Sequence, residues 1–477
     1  MAARLDEGVE LSGSRIFGGV VVHGIDPELG QPIWSCALAN KIHVKSGAVD
    51  ANGNVYLGGD FMGDMTLCNG SVLSHTGTGT NKDAFLLKFD ASGTLLWKRN
   101  ISASPPYASG LVAMALDPAG HLWYAAQGTQ LSINRVDANG NDVEFRTMSG
   151  VMVVGGISFD PWGGLYVSGA CSNNGLVIGG LAQVPVMAGL YNMFVCRFGP
   201  DGTGRWARFA DDISFQDPVV VADAQGHAYL AGSLSDTTSW GGVSFNGPDW
   251  VNSTFLAKVD SSGQFLWGVE SDPAGGPVAG DMQAGLNGCL AVDAVGNPYL
   301  TGIIRGSVEW GNGITSTAGS LTSYAQAIVA FDQNGIPQWT STSGPSGNLF
   351  SQAISLSGDG NLYFSLHTTG VLSYPPFETG AASAQAFAIG RLDINATGTR
   401  EVAPLMGTFA VPSPFTDSFV LTPRPGSGSL IRAYDASGRV VYTGGYRDGL
   451  GRDWRPGLYT LEVRSGDQRR TVRVAKE

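Results

Sequence analysis

The sequence predicts an all-β chain: a β-propeller followed by a small β-sandwich. Three observations carry this reading. One hairpin signature recurs along most of the chain. A second hairpin signature follows each copy of the first. Glycine fills 69 of 477 positions, about twice the ~7% of an average protein, while only 14% of residues are charged. That balance suits short strands joined by tight turns. With 43% hydrophobic and 10% aromatic residues, the chain has material for a large core, which excludes disorder. The glycines lack a period of three, which excludes collagen. A helical bundle or coiled coil, rich in Ala, Glu, Lys and Leu, is excluded as well.

The first signature is a strand, a tight turn, then an aromatic three residues after a glycine. It ends at Tyr56, Trp123, Tyr166, Tyr229, Tyr299 and Tyr363, after Gly53, Gly120, Gly163, Gly226, Gly296 and Gly360. The second reads FLLKFDASGTLLW in its clearest copy. Trp34, Trp97, Trp206, Trp267 and Trp339 each stand four residues after its turn glycine. In the copy INRVDANGNDVEF, Phe145 is expected to take the place of that Trp. Both signatures read as β-hairpins. Asp-x-x-Gly supplies the turn, because the Asp side chain bonds backbone amides and Gly accepts a positive φ. Two hairpins make one four-stranded antiparallel sheet. Repetition of such sheets marks a propeller, where radial packing hides most sheet edges. The recurrent Tyr and Trp are expected to pack between neighbouring blades.

Six complete units and the second hairpin of another point to seven blades, the first partial. Residues 10–20 are expected to supply one of its missing strands. The N-terminus lacks the apolar core of a signal peptide. Both features lead to the expectation that the chain is truncated at that end.

These residues resemble the seven-bladed bacterial β-propeller repeat (SBBP-like). That repeat runs Asp-x-x-Gly-Asn-x-Tyr, a Gly/Phe-rich stretch, then Lys-x-Asp-x-x-Gly-x-x-x-Trp. Asp50, Gly53, Asn54, Tyr56, Lys88, Asp90, Gly93 and Trp97 match it. So do Asp223, Gly226, Tyr229, Lys258, Asp260, Gly263 and Trp267. The resemblance covers roughly residues 12–402 and implies no single activity.

A composition shift separates the tail. Residues 405–477 hold 11 Lys+Arg and 7 Asp+Glu, in a chain of net charge −12. Domains are expected at 1–404 and 405–477. The tail reads as alternating strands bounded by Gly, Pro, Asp or Ser, an immunoglobulin-like β-sandwich. Its motifs resemble the C-terminal sorting domain of type IX secretion, used by Bacteroidota. Pro412, Pro414 and Phe415 match its Pro-Asn-Pro-Phe, with Ser413 in place of Asn. Asp435, Gly438 and Arg439 match Asp-x-x-Gly-Arg, and Pro456, Gly457 and Tyr459 match Pro-Gly-x-Tyr. The basic strand TVRVAKE ends the chain as in that domain. The resemblance implies recognition by the type IX machinery, export across two membranes, and a secreted or outer-surface location.

Chemistry is sparse. The acidic balance disfavours nonspecific nucleic-acid binding, and no apolar run is long enough for a transmembrane helix. No HExxH, nucleophile-elbow or phosphate-loop motif occurs in a fitting context. No catalytic residue, cofactor or metal site is assigned. Asp50, Asp90, Asp117, Asp160, Asp223, Asp260, Asp293 and Asp332 recur once per hairpin, which reads as turn capping. A catalytic acid is needed only once or twice. His121 and His227 follow turn glycines and read as turn residues. The connectors holding Asp211, Asp212, Asp217, Glu270, Asp272 and Asp281 are the candidate ligand or cation patch. Such a patch would bind a cation or a basic ligand, with solvated acidic loops the plainer reading; calcium, considered for the turn aspartates, needs about six to eight converging oxygens that a single turn Asp does not provide. Trp240, Trp250 and Trp310 read as repeated packing residues rather than sugar-stacking platforms. Cys36, Cys68, Cys171, Cys196 and Cys289 form no CxxC pair. They read as buried free thiols, with Cys171 and Cys196 as possible neighbours. The leading function is a secreted or surface-anchored binding or adhesion module for a surface glycan or protein. The alternatives are an extracellular polysaccharide lyase or hydrolase, and a structural spacer of a larger surface protein.

Overall fold

The computed structural model describes residues 9–11, 19–25, 32–77, 81–103, 108–128, 131–185, 192–211, 218–234, 236–247, 252–274, 280–285, 288–319, 321–344, 348–357, 360–369, 373–374, 377–378, 386–394, 409–411, 415–422, 425, 429–436, 438–465 and 468–477. Among these, regular structure is antiparallel strand, apart from one short 3-10 helix at Ile101–Ala103. The chain divides into two compact units, Met1–Ala396 and Thr397–Glu477, a few residues ahead of the boundary that composition indicates.

The first ladder joins Val9–Leu11, Gly19–Ile25 and the start of Pro32–Val49. Gly19–Ile25 and the start of Pro32–Val49 are the Trp34 hairpin, and Val9–Leu11 adds one strand before it, close to residues 10–20 where the sequence placed one. Pro32–Val49 then changes partner at Asn40, whose φ is 107°. Its second half leads the second sheet, followed by Val55–Thr66, Asp83–Phe89 and Leu95–Asn100. The same order repeats. The third sheet is Ala108–Leu116, Leu122–Gly128, Leu131–Val136 and Asp142–Ser149. The fourth is Val151–Phe159, Leu165–Cys171, Asn192–Phe198 and Gly204–Asp211. The fifth is Val219–Ala222, Ala228–Leu234, Ser253–Val259 and Phe265–Glu270. In the sixth, Gly280–Ala284 and Leu290–Val292 share the leading position before Pro298–Glu309, Ala325–Phe331 and Pro337–Thr342. Asn348–Leu356, Asn361–Thr369 and Ala386–Asp393 form the seventh. From the second sheet onward, each leading strand touches the next sheet's leading strand. Sheets stacked in this succession make the unit propeller-like.

The hairpin turns follow their sequence signature. In nine of them, at Asp50, Asp90, Asp117, Asp137, Asp160, Asp223, Asp260, Asp293 and Asp332, the glycine three residues on donates its amide to the Asp carbonyl. Asp Oδ1 accepts the amides two and four residues on, as at Asp50 and Asp332. His121 and His227 each donate their amide to the turn Asp in this way. Hydrogen bonds hold Asp90 below the usual carboxylate range, the Ser92 hydroxyl contributing most. The motif cation has a place as well. Lys258 lies over the Tyr229 ring, 3.8 Å from Asp223, and Arg197 pairs with Asp160 beneath Tyr166.

The signature aromatics fasten the first, second, fourth and fifth of these sheets to the next. Trp34, Trp97, Trp206 and Trp267 donate their indole N–H to Ala91, Ala138, Ser261 and Gln333. Each acceptor is a carbonyl in the outer hairpin turn of the following sheet. The glycine of that turn lies on the indole face. A Cβ built on Gly93, Gly140, Gly263 or Gly335 falls 2.4–3.0 Å from the ring. The inner hairpins repeat the device with tyrosine, since Tyr166 donates to Gly226 and Tyr229 to Gly296, both at 2.7 Å. Burial, reinforced by the Asp223 charge, pushes the Tyr229 hydroxyl pKa up, so it stays a donor.

The third sheet departs from the expectation. Phe145 does not replace the tryptophan; it is 68% exposed. Glu144 stands opposite Arg135, as Trp97 stands opposite Lys88. Side chains alternate along a strand, so Phe145 faces away. Arg146 reaches the next turn instead. Its guanidinium covers Gly202, donates to the Pro200 carbonyl and lies 4.7 Å over Trp123.

The cysteine reading is also corrected. Cys36 and Cys68 form a disulfide between the first ladder and the second sheet. Cys171, Cys196 and Cys289 are free and buried. Trp240 and Trp310 are buried against Phe265 and Phe331, so they pack rather than stack on sugars. Trp250 lies outside the described residues.

In the second unit, Val440–Gly445, Leu430–Asp435, Gly457–Ser465 and Gln468–Lys476 form one antiparallel sheet. Phe409–Val411 pairs with Val420–Thr422. Phe415, Phe419, Leu450, Leu461 and Val474 lie in the unit's core.

Trp206→Ala is expected to lower stability by about 3–5 kcal/mol, the cost of truncating a buried large aromatic. Gly335→Ala is expected to destabilise by about 1–3 kcal/mol, because it adds backbone strain at positive φ to the indole collision. Urea unfolding of both variants checks the pair. Reducing the Cys36–Cys68 bond is expected to cost roughly 2–4 kcal/mol, read as a lower melting temperature that the Cys36→Ser/Cys68→Ser variant reproduces without reductant.

Candidate functional site

The hairpin turns consume most of the recurrent carboxylates, so a functional site has to come from residues that do not recur. The opposite ends of the sheets carry the long middle segments and the sheet-to-sheet connectors. The acidic residues singled out from the sequence belong here.

Glu270 and Asp272 remain neighbours, the Asp272 charge adding to the burial that raises the Glu270 pKa, while Asp211 and Asp281 make contacts of their own. Asp212 and Asp217 lie outside the described residues. Asp211 ends the outer strand of the fourth sheet, and its carbonyl accepts the Thr238 hydroxyl. Glu270 ends the corresponding strand of the fifth sheet, where its carboxylate accepts the Ser253 hydroxyl and the Asn246 amide. Asp281 is held bidentately by Arg305. Asp272 pairs in register with Glu309. Burial, then the Glu309 charge, raise its pKa, and burial raises that of Glu270. Glu270 therefore serves as a hairpin tie and Asp281 as half of an ion pair. Among the described residues, no three His, Cys, Asp or Glu side chains are arranged to hold a metal ion.

The motif residues of the second unit take structural places. Pro412 and Pro414 lie outside the described residues. Phe415 is buried in the core and meets Phe419 and Trp454 edge-on. Asp435 caps a turn, accepting the Arg439 amide on its side chain and the Gly438 amide on its carbonyl. Gly438 takes a φ of 83° there. Tyr459 stacks against Trp454 and donates to the Arg455 carbonyl, just before Pro456 and Gly457.

A constellation that sequence reading missed lies on the second sheet. Asp60 is 3% exposed. Lys82 Nζ approaches its Oδ1 to 3.0 Å, Lys45 Nζ its Oδ2 to 3.1 Å, and His43 Nδ1 its Oδ1 to 3.4 Å. Beyond that Lys45 ammonium, Oδ2 has no hydrogen-bond partner among the described residues. The register places His43 opposite Asp60 and Ala84 opposite Asp60. Lys82, two residues before Ala84, thus projects on the Asp60 face. Lys45 is the bulged residue between Val44 and Ser46. This face meets the third sheet, for Leu111 lies on Gly58 and Gly110 adjoins Lys45 and Asp60. Asp83 and His75 belong to a second group, in which the Thr76 amide, Thr76 hydroxyl and Asn100 amide bond Asp83. Burial works against the charge of Asp83, but these bonds and His75 outweigh it and hold its pKa low.

The signal that could have found Asp60 is its failure to recur. The residue four positions after the signature aromatic is Asp60, Gln127, Ala170, Ser233, Ile303 and His367 in the six units. Only the second sheet carries a carboxylate there.

No family model matches the chain, and no curated protein matches it. Two solved structures are similar to the chain at 13% identity. One is a protein of unknown function from Bacteroides caccae, at a TM-score of 0.23, covering 55% of this chain and 92% of that one. The other is a candidate gluconolactonase, at a TM-score of 0.28, covering 65% of this chain and 84% of that one.

Asp272→Asn is expected to raise stability at neutral pH. An acid with a raised folded pKa loses stability as pH climbs from its unfolded value, near 3.8, through its folded value. The variant and parent urea midpoints should therefore coincide below about pH 3.9 and separate above it, with the variant higher.

Proposed function

We propose that this chain is a binding module exported to the outer cell surface by type IX secretion. Residues 1–404 are a seven-bladed propeller with a partial first blade, and residues 405–477 are an immunoglobulin-like sorting sandwich. The observation that carries this reading is the self-contained C-terminal unit. Its own core is built on Phe415 and Tyr459, two of the residues that match the sorting motifs. Residues 405–477 carry a positive balance in an otherwise acidic chain, which suits recognition as a separate element. The Cys36–Cys68 disulfide supports an oxidising destination, since such bonds persist outside the cytosol.

Binding is favoured over catalysis by how the polar residues are used. The turn aspartates bond backbone amides, Arg197 and Lys258 pair with Asp160 and Asp223, and tyrosines and tryptophans join sheets. Glu270, Asp272 and Asp281 sit towards the connector ends, where a surface glycan or protein can be met.

The full chain, fused behind a periplasmic signal sequence and expressed in a bacterium with type IX machinery, is expected at the cell surface. Deleting residues 405–477 should leave it in the periplasm. Protease accessibility on intact cells distinguishes the two, and surface exposure of the deletion variant overturns the export reading.

A further inference from the structure

We propose that Lys45, Lys82 and His43, held by Asp60, bind a monoanionic oxyanion group, the carboxylate or sulfate ester of an acidic saccharide. The saccharide part rests on the reading of this chain as a glycan-binding module; the anionic part rests on the geometry of the site.

The charge count is the starting point. One buried carboxylate faces two ammonium groups. A single lysine would neutralise Asp60, and the second leaves one positive charge in excess. Asp60 lies beneath, while the Lys45 and Lys82 side chains remain 40% and 41% exposed. An incoming anion therefore meets the ammonium groups first, with Asp60 as the positioning residue behind them. The excess suits one negative charge. A phosphate monoester dianion would bring a second charge close to the buried carboxylate. The nearby Asp83 carboxylate is spent on Thr76, Asn100 and His75 and, by strand alternation, projects to the other face.

The repeat supplies an independent argument. A structural need recurs with the fold, as the turn aspartates do. His43, Lys45 and Asp60 have no ionisable counterparts at the matching positions of the next two sheets. There the registers place Gly110, Val112 and Gln127, then Val153, Gly155 and Ala170. The sheet ladder therefore forms without this group. The contrast with Asp281 and Arg305 is also informative, since that ion pair is balanced one to one. The backbone beside the group leaves room for one carbon atom. Gly110 faces the group, and a Cβ there would come no closer than 3.6 Å to Lys45 Nζ.

The test is titration calorimetry of the full chain at low salt with oligogalacturonate, a sulfated dextran and neutral dextran. Binding of either anionic saccharide, weakened by added salt, is expected. Lys45→Gln and Lys82→Gln should each weaken it about tenfold, the loss of one charge-assisted hydrogen bond. Arg205→Gln, at a distant turn, should not. Gly110→Leu keeps every charge but fills the space, and should also abolish binding if it folds with the parent circular dichroism spectrum. Preference for oligogalacturonate assigns a carboxylate, and preference for sulfated dextran a sulfate ester. Binding of neutral dextran alone overturns the anionic site but leaves the binding-module reading standing. Anion binding that survives Lys45→Gln, Lys82→Gln and Gly110→Leu overturns the location. Absence of binding to all three saccharides overturns the proposed ligand, while surface export of the chain would still be read separately.

Discussion

The first unit depends on one contact repeated along its length: an indole that donates to a turn carbonyl of the next sheet while the turn glycine lies on its face. A single four-stranded sheet leaves two faces in need of cover. Stacking supplies the cover, and the tryptophan sets its register. The turn glycine answers two demands at once. It takes a positive φ, and it leaves the space that a Cβ would occupy. Asp, Gly and Trp are therefore one device, although the three residues that meet come from different sheets.

The same contact explains where the molecule can vary. Where the tryptophan position is Glu144, Arg146 reaches across and a guanidinium takes over the indole's place against the next turn. The third sheet keeps its neighbour by a different chemistry with the same geometry. At the opposite ends of the sheets no such device is needed, and the residues differ from unit to unit. The Asp60 group lies there, close to the third sheet yet outside the repeating contacts. In a chain with only 14% charged residues, three cationic or imidazole side chains around one buried carboxylate stand apart from the surface pattern.

Several features were legible because they are local. The turns need only Asp and Gly at a fixed spacing, and the aromatic positions follow from the same count. Other features were not. Phe145 looked like a substitute aromatic, but counting from Gly140 places Glu144 at the tryptophan position, and alternation turns Phe145 outward. Cys36 and Cys68 are 32 residues apart; Cys36 lies on the first ladder and Cys68 in the turn that follows Val55–Thr66. They meet because Pro32–Val49 belongs to both ladders, a fact set by pairing rather than spacing. Of the acidic connectors, Glu270 and Asp272 stand close enough for their charges to interact, while Asp281 is taken up by Arg305. His43, Lys45, Asp60 and Lys82 looked unrelated because a bulge and two strand registers bring them together.

The sequence by itself determined the repeat, the strand order within each sheet and the chemistry of the turns. These depend on contacts within a few residues, where spacing is enough. The tertiary structure alone decided which cysteines join, which side chain fastens the third sheet, and which charges gather beside Asp60. Each depends on the register between strands distant in the chain, and a shift of one residue would turn the side chains to the opposite face.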